Sequence, residues 1–502
     1  MNLPLVRSHK PTVASVLWAA SASGFGLLIA RLPAEFGLAL LVGIGLFAVA
    51  IWEPALGIGL AIVLGPARAY LAIARPALPS DLGQIFFVLA VAGWLARGLA
   101  RREILIPRIG LLLPLGLYIA AGLFSLLAAQ SLDEGLKESL KWMEVALGMV
   151  ILVSEAGRGR LKWIIAAVLI AGLVQAAIGV WQFEFQRNGP AHFRILGDHF
   201  RAYGTFEQPN PYGGFLGLVW PLAAGLALEM SKEPLARSRK QISSLATPTA
   251  FLLAALFILA GLYVSFSRGA WIGAGAAALA VTVALPRRVL TGLGVVAIVF
   301  ALAWGLARTG FLPVSVTARL ADVADFAAVT DVRGVNIDEV NFSILERLAH
   351  WQAAESMVRA NPWWGVGLGN YAAAYPTHSL VNWPNALGHA HMIYLNVLAE
   401  TGAVGLVTYV ILWSAIIGLT MRTIGRLAGG PRGVAVGLLG AWVHLSAHQI
   451  VDNLYVNNIH FTLAALLSLL AYLSGQPPTL PFTRSVIDQL SSRRLIHRQK
   501  TL

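Results

Sequence analysis

The chain contains no cysteine and few charges: 12% of its 502 residues are Asp, Glu, Lys or Arg. Without cysteine there are no disulfides, no thiolate nucleophile and no zinc–sulfur centre. The charge content is roughly half that of an average soluble domain, which excludes an ordinary water-soluble surface. No Asp-x-Asp pair occurs anywhere, so a divalent-cation site lacks its most obvious oxygen ligands. Internal repeats and low-complexity tracts are also missing. The first apolar stretch is followed by no small-residue cleavage site and reads as a span rather than a removable signal.

What is present is apolar sequence, 57% of the residues. Windows of about 18 or more apolar residues are each long enough to cross a bilayer. They fall near 12–30, 34–51, 54–72, 82–98, 109–130, 135–153, 161–182, 212–230, 249–266, 269–285, 289–307, 402–420, 433–450 and 456–474. The third contains Pro66 and Arg68; the sixth carries Lys137, Glu138, Lys141 and Glu144. The expectation is an all-α, polytopic membrane protein of about 14 helices, or about 12 if those two fail.

Lys and Arg set the orientation, because cytoplasmic loops retain them. With the N-terminus inside, most of the 37 basic residues fall on the inner side, and the alternation holds across all the spans. The net charge of +13 is therefore largely a topology signal. Its scatter over many short loops excludes a nucleic-acid partner. The expected divisions are a membrane bundle over 1–308, a large outer loop over 309–401, further spans over 402–476 and a basic cytoplasmic tail over 477–502 that touches anionic lipid.

Polar residues that defy this pattern collect in four outer segments. In the first, Arg201 precedes Gly204 and the Gln208-Pro209-Asn210-Pro211 break, where flexible backbone lets a guanidinium approach a ligand. In the second, "SFSRGAWIG", Arg268 stands among Ser265, Ser267 and Gly269 in a very short turn opening a helix. A fixed guanidinium beside helical N–H groups favours an anion, phosphate above all. For both arginines the alternative is a side chain snorkelling to lipid headgroups.

The long outer loop carries its own helix, with Ile344, Leu348, Trp351 and Val358 as a packing stripe. Glu346, Arg347, His350, Glu355 and Arg359 stand off that stripe, and Asn361-Pro362 ends it. Arg347 is a candidate third cation. The glycine-rich, aromatic "WWGVGLGNYAAAY" that follows suits a lid or a sugar-stacking loop. Then "NALGHAHMIYLNVLAETG" sets His389 and His391 where an aqueous loop becomes a span. A metal there would need a third ligand and both rings on one side. On a helix the two positions would diverge by roughly 200°. Glu400 either supports this site or closes a helix end. In "HLSAHQIVDNLYVNN", His444, His448 and Asp452 follow one another at four-residue steps. Asp452 can orient a histidine or accept sugar hydroxyls, as Asn453 and Asn457 can; interhelical hydrogen bonding is the alternative.

The order "RAYGTFEQPNPYGGF", "SFSRGAWIG", "ERLAHWQAAESMVRANPWWGVGLGNY" and "HAHMIYLNVLAETGAVGL" resembles the O-antigen ligase and O-antigen polymerase superfamily of bacterial membrane glycosyltransferases, over roughly residues 160–460. The resemblance implies a C-type glycosyltransferase-like fold in the inner membrane, both termini cytoplasmic and the active site periplasmic. It implies an undecaprenyl-diphosphate-linked glycan donor, with lipid A–core as acceptor in a ligase or a growing glycan in a polymerase. A protein O-oligosaccharyltransferase is the related third branch. Carried over by motif, Arg201 and Arg268 match diphosphate-binding arginines, and His391, ahead of Tyr394-Leu395, matches the histidine that activates the acceptor hydroxyl. Family members commonly have Asn after that histidine; here it is Met392.

The chemistry is coherent with those roles. A sugar leaving from a diphosphate needs charge neutralisation rather than a general acid, and arginines supply it where metal ligands are few. Histidine has the pKa range of a base for a hydroxyl. Inverting, metal-independent transfer with no cofactor is the expectation, with His391 central, Arg201, Arg268 and Arg347 on the diphosphate, and Ser267, Asn210, His389, Tyr394, Glu400, Asp452 and Asn453 around them. The rivals are a lipid-linked glycan transporter, which calls for repeated halves and mid-bilayer charges, and a non-catalytic scaffold.

Overall fold

In the computed structural model, residues 34–475 are described apart from 77, 103, 105, 196, 233–240, 309–330 and 339–340; outside that range only Ser23 and Arg31 are. The first expected span, part of the long loop and the basic tail lie outside the described residues. The fold is all-helical, fits a polytopic membrane protein, and has one two-residue antiparallel ladder, Arg194–Ile195 with His199–Phe200. Among the described residues six helices are long and apolar enough to cross a membrane, and shorter apolar helices accompany them.

Every expected span within the described range is occupied by helix. The helices are α1 (Ala34–Trp52), α2 (Pro54–Leu64), α3 (Arg68–Ala74), α4 (Leu82–Ala100), α5 (Leu112–Ser125), α6 (Leu132–Glu155), α7 (Leu161–Trp181) and α8 (Pro209–Met230). They continue as α9 (Gln241–Tyr263), α10 (Arg268–Ala284), α11 (Val289–Arg308), α12 (Phe342–Ala360), α13 (Tyr371–Ala374), α14 (Ile393–Arg426), α15 (Gly429–His448) and α16 (Ile459–Ser474). The two doubtful spans resolve differently. Pro66 sits in a 3-10 turn, Gly65–Ala67, that separates α2 from the short α3, as a missing N–H and a fixed φ require. By contrast α6 runs unbroken. Its charges are answered locally, Lys137 by Asp133 and Glu134 and Lys141 by Glu138, while buried Glu144 meets His460 of α16 at 2.9 Å. Paired charge is the form in which a membrane helix tolerates charge.

α8 is the centre of the bundle, buried along nearly its whole length. It packs against α15 backbone to backbone: a Cβ at Gly225 would lie 2.3 Å from the Gly433 carbonyl oxygen, and one at Gly437 2.6 Å from the Pro221 carbonyl. In lipid, where apolar surface gains nothing by leaving the solvent, such small-residue contacts provide the association. The same device seats His444 of α15, whose ring fills the space beside Gly217 of α8 and Gly273 of α10. At the end of these helices opposite the site described below, Arg432 pairs with Glu229 and donates to the Ala284 carbonyl at 2.7 Å, satisfying helix-end carbonyls with a buried cation.

Candidate active site

The α12 helix and the loop after it form a small layer on one end of the bundle. Its buried face is Leu345, Ala349, His350, Ala353, Ala354 and Met357. The stripe expected from the sequence, Ile344, Leu348, Trp351 and Val358, is only half-buried. The small alanines win because α12 lies close against α14, and His350, expected to stand off the packed face, is on it. Glu400 of α14 fixes the connecting loop by accepting from the Gly369 N–H at 3.0 Å and the Tyr371 N–H at 3.1 Å. Tyr371 in turn meets His350 Nδ1 at 2.9 Å and donates to its carbonyl at 3.0 Å. His350 stacks on Tyr375 with centroids 4.7 Å apart and meets the edge of His391 at 5.5 Å. Burial, reinforced by His391 and His389, pushes the His350 imidazole down to about 4, so it is neutral near pH 7.

His389 and His391 lie in a bend just before α14, not on the helix. The roughly 200° divergence argued from helical geometry therefore does not occur: the rings meet edge to face with centroids 4.4 Å apart. The bend is held by Asn396, which accepts from the Ala390 N–H at 2.9 Å, and by His389 Nδ1, which accepts from the His391 N–H at 3.1 Å. That second bond leaves the proton of neutral His389 on Nε2. Burial pushes His389 down to about 4. His391 has φ 54°, a left-handed conformation that a non-glycine residue holds only under constraint. Neither of its ring nitrogens makes a hydrogen bond.

Asp452 arrives from the link between α15 and α16, with Oδ1 3.7 Å from His391 Nδ1. This is ion-pair contact, longer than a hydrogen bond. Burial would raise the carboxyl, but the imidazoles of His391, His389 and His448 hold it below the usual carboxylate range. Among the described residues His389, His391 and Asp452 form a group whose ligand atoms lie within 4.8 Å of one another. Two imidazoles and a carboxylate have the donor chemistry of a divalent-metal site, an arrangement the sequence argument discounted.

The cations come from other elements. Arg201 donates from Nε to the Ser265 carbonyl at 3.0 Å and from Nη2 to Asn210 Oδ1 at 3.1 Å, which ties the first outer segment to the α9–α10 turn. Ser267 is buried as the N-cap of α10, accepting from the Ala270 N–H at 3.3 Å, and Arg268 is the first residue of that helix, after Phe266 at φ 48°. The α10 start abuts the α15 end: a Cβ at Gly269 would meet the His448 ring at 2.4 Å. The α15 end also receives the start of α14, with Ile393 N–H donating to the Gln449 carbonyl at 3.0 Å. Arg268 and His391 thus flank the same helix terminus. Arg347, half-buried on α12, donates to the Ser343 carbonyl at 2.9 Å and adds its positive field at His389 and His448.

The remaining expected residues have structural partners. Tyr394 donates to the Ser446 carbonyl at 3.0 Å, and Asn453 accepts from the Tyr455 N–H at 3.0 Å. The sequence reading missed His350, Tyr371 and Asn396. The available signal was spacing: His350 follows Glu346 by four residues and shares a face with the alanine stripe.

These elements define a class: an all-helical, multi-pass membrane protein that gathers histidines, a buried carboxylate and arginines at one end of its bundle. Residues 253–410 match the family model described as O-antigen ligase, consistent with the O-antigen ligase superfamily. The match supports a glycosyltransferase-like activity acting on lipid-linked glycans in a membrane context. It includes Arg268, Arg347, His389, His391 and Glu400; Arg201 and Asp452 lie outside it. No curated protein matches the chain.

Proposed function

We propose that the protein transfers a glycan from undecaprenyl diphosphate to an acceptor hydroxyl on the periplasmic side of the inner membrane, as an O-antigen ligase acting on lipid A–core. The observation that carries this is His391: a constrained imidazole whose ring nitrogens make no hydrogen bond, with a buried carboxylate 3.7 Å from Nδ1. Asp452 beside Nδ1 favours the tautomer with its proton there and leaves Nε2 to take the proton of the acceptor hydroxyl. Asp452 then stabilises the imidazolium. Arg201, Arg268 and Arg347 neutralise the departing diphosphate. Direct displacement inverts the anomeric centre, and the proton taken by His391 balances the charge left on the carrier. The arginines make a metal unnecessary, although the His389, His391 and Asp452 group favours a metal-assisted variant as the second reading.

The test uses purified protein in lipid, the carrier-linked repeat unit with and without lipid A–core, EDTA present, and His391→Ala and Asp452→Asn beside the wild type. One block moved onto the core identifies a ligase, and a ladder from donor alone a polymerase. His391→Ala is expected to lose about 10²–10⁴-fold in rate while still binding the carrier, and Asp452→Asn to lose less. Loss of wild-type activity in EDTA, restored by a divalent cation, moves the metal reading to first place. A carrier that crosses the bilayer with no glycan transferred sinks the enzyme reading.

A further inference from the structure

A cavity of about 190 Å³ opens between the first turns of α12 and the 382–385 loop. Phe342 and Trp383 form one wall, with ring centroids 5.2 Å apart. Glu346, Asn382 and Asn385 present a carboxyl and two amides, and His350 closes the inner end. The amides of Asn382 and Asn385 are exposed while Trp383 is buried, so polar groups edge an aromatic floor. That is the surface a pyranose ring uses: its C–H face lies on an aromatic and its hydroxyls find amides and a carboxylate.

The cavity is built rigidly and built towards the base. Trp383 is pinned by its own N–H to the Leu380 carbonyl at 2.8 Å and by Tyr375, which donates to the Trp383 carbonyl at 2.8 Å. Tyr375 is the ring stacked on His350, and His350 is the ring against His391. One imidazole therefore separates the cavity from the base. Burial raises the Glu346 carboxyl. Among the described residues that line it the cavity has no Lys or Arg, so it is unsuited to phosphate, and the diphosphate chemistry lies with the arginines of other elements.

We propose that this cavity is an acceptor subsite: it takes an uncharged monosaccharide of the acceptor glycan and holds it one imidazole away from His391. This rests on the transferase reading and adds to it where the acceptor is read. A carboxylate and amides around a neutral ring distinguish hydroxyl positions, so specificity for the acceptor sugar resides in Glu346, Asn382 and Asn385 rather than in the residues around the carrier.

The experiment measures two affinities separately on the full chain in lipid nanodiscs. Binding of core oligosaccharide released from lipid A is followed by saturation-transfer NMR, and binding of undecaprenyl diphosphate by a lipid-displacement assay. Asn382→Ala and Asn385→Ala alter exposed loop side chains and leave the packed walls intact; Glu346→Gln removes the charge and keeps the shape. Each is expected to weaken oligosaccharide binding about tenfold, the scale of one or two lost hydrogen bonds, and to shift carrier binding less than twofold. The same weakening is expected in a His391→Ala background, where no turnover contributes. Unchanged oligosaccharide affinity in all three variants, while the wild type still transfers glycan, overturns the cavity assignment and leaves the transferase standing. Wild-type protein that binds the oligosaccharide, with the variants weakened, but transfers nothing overturns the transferase and leaves a glycan-binding cavity.

Discussion

At the residue scale, the site combines groups whose charge states differ because their surroundings do. His350 and His389 are both pushed down to about 4, burial being the larger cause in each, while Asp452 stays ionised beside them. A neutral His350 can stack on Tyr375 and lie against His391 without repelling an imidazolium formed there. The same shift has a consequence for stability. His350 is faced by Tyr371, Tyr375, His391, His389 and, on its own helix, Glu346. Below about pH 6.5 the unfolded chain binds a proton at this residue that the folded chain refuses, so stability falls as pH falls, down to the folded value near 4. The thermal midpoint of the detergent-solubilised protein should therefore drop between pH 6.5 and 4, and His350→Gln should flatten part of that slope. An unchanged slope in the variant would show that His350 is not the group that titrates.

At the element scale, the break in α14 sets the relation between the outer layer and the bundle. Gly402 has φ 64° and ψ −169°, a conformation open essentially to glycine alone. A Cβ there would fall 2.2 Å from the Trp363 carbonyl group. Around the break the 362–367 segment is laced to α14, with Val366 N–H to the Ala399 carbonyl at 3.0 Å and Ala403 N–H to the Pro362 carbonyl at 2.9 Å. Gly402→Ala combines backbone strain and collision, so a cost of about 3 kcal/mol or more is expected. It should be visible as a lowered melting temperature and faster proteolysis within the 362–370 loop; wild-type behaviour in both would show that the break carries no such constraint. The span expected at 402–420 starts at this glycine, because the apolar run starts there. The turns Ile393–Thr401 ahead of it fell outside the expected span because Asn396, Glu400 and Thr401 interrupt the apolar run, although Ile393, Asn396, Val397 and Glu400 share the buried face at helical spacing.

At the scale of the whole molecule, the positions of the spans were legible because hydrophobic length is a local property of the sequence. Their convergence was not. That Arg201 meets Ser265, that Gly269 abuts His448 and that Asp452 reaches His391 are contacts made by folding, and the pattern of any one segment carries no record of them. The H-x-H pair shows the limit well, since its geometry was argued for a helix and the residues lie in a bend shaped by Asn396. Orientation across the membrane is the global property that the basic residues encode, and the lack of cysteine allows a direct measurement. Val381 is 97% exposed on the layer that carries the candidate site, and Arg288 is exposed in the α10–α11 turn, at the far end of α10 from Arg268. Single Val381→Cys and Arg288→Cys variants each carry the molecule's only thiol. In intact spheroplasts a membrane-impermeant maleimide should label position 381 at once and position 288 only after permeabilisation. The reverse order would put the histidines in the cytoplasm, where a carrier-linked glycan exported for assembly is out of reach, and the proposed transfer would fail on topology before any question of catalysis arose.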